Sequence, residues 1–168
     1  MPEATVLPAF LFSAMRIHAA VLPLLAAFTS VLAQPSPSSG GGAQSPRETA
    51  LDNLLSERGS PKALDDAIAA ARKTGVSEQA ILEARFLYHI DQREDQAIAA
   101  MLPEFLKQRD AFKLEDSAVF SVKEDWLAVI EYVQAIAALE KDDKAGFKTH
   151  ITEAFWLSPR QASAFAPH

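Results

Sequence analysis

From Ser45 onward, apolar residues return every three or four positions, the period of a helix with one buried face. Ser45-Pro46-Arg47-Glu48 has the form of a capping box with proline at the first helical position. Leu51, Leu54 and Leu55 follow it, and Gly59 ends the run. Ser60-Pro61 opens a second helix with Leu64, Ala67, Ile68 and Ala71 on one face, closed by Gly75. Ser77 caps a third, where Val76 and Ile81 are placed for a hydrophobic staple. Leu82, Phe86 and Ile90 form its main stripe and Tyr88 a second flank. A fourth begins near Asp95 with Ile98, Met101, Leu102 and Phe105 inward, and Pro103 predicts a kink within it.

Ala111–Phe120 breaks the period and reads as a connection packed through Phe112, Leu114, Val119 and Phe120. Ser121-Val122-Lys123-Glu124 predicts a second capping box, opening the longest helix, to about Lys141. Val122, Trp126, Val129, Ile130, Val133, Ile136 and Ala137 give it an apolar face wide enough for contact on two sides. Asp142 or Asp143 caps a sixth helix, with Phe147, Ile151, Ala154 and Phe155 expected inward. No stretch alternates apolar and polar residues for long, so no strand is expected. The pattern predicts an all-α domain of stacked antiparallel helical hairpins. Its core is expected around Phe86, Trp126, Val133, Phe147, Ile151 and Phe155.

The pattern before Ser45 is different in kind. Arg16 and His18 precede an apolar run, Ala19–Phe28, and Val31-Leu32-Ala33 has the small residues of a cleavage motif. Residues 1–33 therefore read as a secretory signal peptide, cut between Ala33 and Gln34. The signal is better formed if translation begins at Met15, because the preceding residues carry Glu3, two prolines and no basic residue. As a membrane anchor, Ala19–Ala33 falls short of the ~20 residues a span needs, so no stable anchor is expected after cleavage. No cysteine follows the run to carry a lipid. Residues 34–44 (QPSPSSGGGAQ) form a Ser/Gly/Pro linker with little to bury. Its three glycines are not a phosphate loop, since no strand leads in and no Lys-Ser/Thr pair follows.

Charge and cysteine content narrow the function classes. Glu3 and Arg16 both fall on the removed side, so cleavage leaves the net charge at −6. An acidic chain without a basic cluster has no electrostatic footprint for nucleic acid. The chain has no cysteine, so it is held by packing alone and does no thiol chemistry itself.

In the last two full helices, Ala135, Ile151, Ala154 and Pro159 reproduce spacings of small, large apolar, alanine and proline positions in a tetratricopeptide repeat. Tyr88 and Ala97 match the family's spacing in the third and fourth helices. Ser77–Pro159 thus resembles degenerate tetratricopeptide-like hairpins. Phe147 stands where the repeat prefers alanine, and the units are not spaced at the family's period of about 34 residues. The resemblance implies a scaffold that binds protein segments on a concave face, with no chemistry of its own. An exported helical domain of this kind also resembles the part of some envelope proteins that precedes a thioredoxin-like domain.

The candidate chemical residues are few. His150 and Glu153 lie one turn apart, as do Arg85 and His89, but a metal needs three or four converging ligands. Only His89, His150 and His168 follow the cleavage point. Asp65-Asp66, Asp142-Asp143 and the Asp91–Asp95 run lack the glycine and spacing of a calcium loop. Ser36, Ser38 and Ser39 have no base on a rigid element beside them. Trp126, Phe147 and Phe155 could line a groove, though aromatics at helical spacing are core by default.

No cofactor or metal is expected. The sequence reads as an exported, non-enzymatic helical scaffold for a protein partner, periplasmic or extracellular. The alternative is an accessory domain of a larger exported thiol-disulfide protein whose catalytic part lies beyond His168. Ser158-Pro159-Arg160-Gln161 has the form of a third capping box, yet Phe165 is the only large apolar residue after it. So short a helix is marginal. The face of Phe147, Ile151 and Phe155 then needs a C-terminal extension or self-association to cover it.

Overall fold

The computed structural model describes residues 44–165. The signal segment, its cleavage point at Ala33 and Gln34, and nearly all of the linker lie outside the described residues. Eight helices and one 3-10 turn follow one another, and there is no strand among the described residues. They are α1 (Pro46–Ser56), α2 (Pro61–Lys73), α3 (Glu78–Gln92), α4 (Asp95–Ala100) and α5 (Leu102–Gln108). After a 3-10 turn at Leu114–Asp116 come α6 (Lys123–Leu139), α7 (Lys144–Leu157) and α8 (Pro159–Phe165). Among the described residues no helix is long and apolar enough to cross a membrane.

The first three helices begin at their expected caps. The Ser45 hydroxyl accepts from Glu48 N–H while the Glu48 carboxylate accepts from Ser45 N–H, which completes the capping box. Ser60 and Ser77 each accept from the amide three residues on. Gly75 ends α2 at φ +78, a left-handed conformation that side chains disfavour. Val76 and Ile81 are both buried in the same cluster, as a staple requires.

Two apolar clusters share one helix. Leu54 of α1 and Leu64, Ile68 and Ala71 of α2 pack against Ala80, Ile81, Ala84 and Tyr88 of α3. From the other side of α3, Leu82 and Phe86 join the second cluster. That cluster takes Ile98, Met101 and Phe105 from α4 and α5, Trp126, Val129, Ile130 and Val133 from α6, and Ala154, Ala162 and Phe165 from α7 and α8. Trp126 lies at its centre, stacked on Phe112 at 5.6 Å and tilted against Phe105 at 5.2 Å and Phe120 at 5.9 Å. The most extensive interface joins α6 and α7.

Pro103 divides the expected fourth helix into α4 and α5 rather than kinking it. It has no N–H to donate, and the helix is interrupted at Met101, whose backbone stays in the right-handed region. Ile98, Met101 and Phe105 thereby keep to one buried stripe across the interruption.

Four further expectations are corrected. Ser121 does not cap α6; Val122 does, with an extended backbone and no side-chain bond. Burying Phe120 beside Trp126 sets where the helix can start, and Val122 is left outside the core, 46% exposed. Leu114 lies in the 3-10 turn, 54% exposed, because the connection is held by polar bonds rather than by this side chain.

The third correction concerns α7. Of its expected inward residues Ala154 is fully buried and Ile151 is half-buried against the main cluster, while the ridge that meets α6 is Gly146, His150 and Ala154, one turn apart. A Cβ at Gly146 would lie 3.3 Å from the Ala138 Cβ of α6. These small residues let the two backbones approach closely. Phe147 and Ile151 are turned to the flank and half-buried, and Phe155 is 39% exposed.

The fourth concerns the end of the domain. Although α8 is short, it is not left marginal, because Phe165 is buried against Phe86 at 5.2 Å and Tyr132 at 5.5 Å. Ser158 caps it, accepting from Gln161 N–H. The reciprocal half of the predicted box is not made, since Ser158 N–H donates to Ala154 O.

Candidate functional site

Three carboxylates enter the interior, and each is used to hold one element on another. Glu83 of α3 is fully enclosed. Its Oε2 accepts from Ser117 Oγ and from the amides of Ala118 (2.7 Å) and Val119 (3.0 Å). Its Oε1 accepts from Gln79 Nε2 at 3.0 Å. Gln79 in turn exchanges two bonds with the backbone of Lys113, and Ser77 Oγ donates to Asp116 O. Three α3 side chains thus fasten the irregular connection between α5 and α6. Burial pushes the Glu83 carboxyl above its ordinary value, opposed by the bonds from Gln79, Ala118, Ser117 and Val119.

Asp125 of α6 accepts from Ser158 Oγ at 2.7 Å and from Arg160 Nη2 at 3.4 Å, tying down the start of α8. Glu131, one and a half turns on, faces His150 Nδ1 of α7 at 2.8 Å, with Arg109 Nη2 at 3.7 Å. An ionised carboxylate only accepts, so Nδ1 is the donor.

The pairs suggested by spacing do not form. His150 turns to Glu131 rather than Glu153, while Arg85 binds Glu104 and His89 binds Glu94. Asp143 caps α7 through Gly146 N–H, and Asp66 pairs with exposed Lys62. No group of three potential metal ligands occurs among the described residues. A shallow, open hollow lies around the turn at Arg93–Ala97. No serine hydroxyl is bonded to a histidine among the described residues.

What remains is a surface. Trp156, in the last turn of α7, is 80% exposed and stands beside Phe155. Ala145, Thr149 and Thr152 continue the same outward face toward the start of the helix, with exposed Lys148 and Glu153 along its two edges. Both threonine hydroxyls donate to carbonyls of their own helix, Thr149 to Ala145 and Thr152 to Lys148. Spacing alone does not single out Trp156. It lies opposite the Gly146–His150–Ala154 ridge, and only the rotation of α7 on α6 reveals it. Glu83 was missed for a different reason: its partners lie more than thirty residues downstream, in a stretch without periodicity.

No family model matches the chain, and no curated protein or solved structure matches it either.

Proposed function

We propose that this chain is an exported, non-enzymatic helical scaffold that holds a protein partner against the outward face of α7. The observation that carries the reading is the tryptophan displayed, 80% exposed, at position 156 on the outward face of α7. Tryptophan is among the residues that most often dominate binding energy. The interior supports the absence of chemistry in the same reading, because each enclosed carboxylate is already committed to fastening one element to another. Export rests on the apolar run and the Val31-Leu32-Ala33 motif. The reading calls for no metal, cofactor or nucleic acid.

A photo-crosslinking amino acid at position 156 tests the binding half. It is expected to give a discrete protein adduct that the same probe at exposed Glu140 does not. Equal background at both positions overturns the proposed face. Amino-terminal sequencing of protein from the envelope fraction tests export separately, with Gln34 expected first.

A further inference from the structure

We draw no further inference here: the strongest candidate, the apolar patch of Phe155 and Trp156 at the end of α7, belongs to the face already proposed for binding, and nothing in the structure shows what covers it.

Discussion

Trp126 is enclosed by the rings of Phe105, Phe112 and Phe120, which come from α5 and from both ends of the connection before α6. Truncation at this position removes the common surface against which all three pack. Trp126→Ala is expected to cost on the order of 3–5 kcal/mol, much of a small domain's stability. The midpoint of denaturant unfolding measures it, and an unchanged midpoint would refute the central role of the ring. The indole Nε1 is buried with no hydrogen-bond partner, so packing rather than polarity holds the side chain in place.

Glu83 is a second residue-scale test. Glu83→Ala strands the amides of Ala118 and Val119, at about 1–3 kcal/mol for each donor left unsatisfied. Glu83→Gln keeps an accepting oxygen and is expected to lose less. The two forms also differ in pH response. With its pKa raised by burial, the folded chain holds the Glu83 proton more tightly than the unfolded chain does. The stability this supplies is complete at low pH and is lost as pH rises from 4.5 through the raised value. Denaturant titrations across that window should show a slope in the parent that Glu83→Gln lacks.

Among the elements, α8 gives the sharpest case. Its hold on the fold rests on Phe165 and Ala162 in the main cluster, the cap at Ser158 and the carboxylate of Asp125. Phe165→Ala is therefore expected to release the helix, with the largest loss of hydrogen-exchange protection in residues 159–165 and a smaller loss passed through α3 to α1 and α2. Uniform loss of protection would mean that α8 is essential to the whole fold. The helix starts at Ser45, Ser60 and Ser77 were legible because capping is chemistry between residues three apart. Phase was not legible in the same way. The rotation of α7 depends on how near Gly146 and Ala154 let it approach α6, and on where Glu131 waits for His150. Local periodicity favoured the larger side chains of Phe147, Ile151 and Phe155, but close approach of the backbones decided in favour of the small ones. Ser121 misled for a related reason, since the burial of Phe120 moved the start of α6 on to Val122.

At the scale of the whole molecule, the described helices bury two phenols, Tyr88 and Tyr132, and the second titrates far from its ordinary range. Burial, with a smaller effect from Asp95, pushes the Tyr132 hydroxyl up to about 12 from an ordinary 10.0. Between those values the unfolded chain gives up this proton while the folded chain keeps it. Stability from this group is therefore intact below pH 10 and falls as pH rises toward 12, by up to about 3 kcal/mol. Tyr132→Phe should flatten that part of an alkaline unfolding curve, and an equally steep curve would show that the phenol does not drive it.

The double membership of α3 has a consequence for distant parts of the chain. Because Ile81 and Tyr88 belong to one cluster and Leu82 and Phe86 to the other, neither half can loosen without disturbing the helix between them. The two halves are then thermodynamically linked, and linkage works in both directions. A partner that tightens α6–α8 by closing over Trp156 would also slow the opening of α1 and α2, which it never touches. A cap weakened at Ser60 would, by the same coupling, be felt as weaker binding at the far end of the molecule.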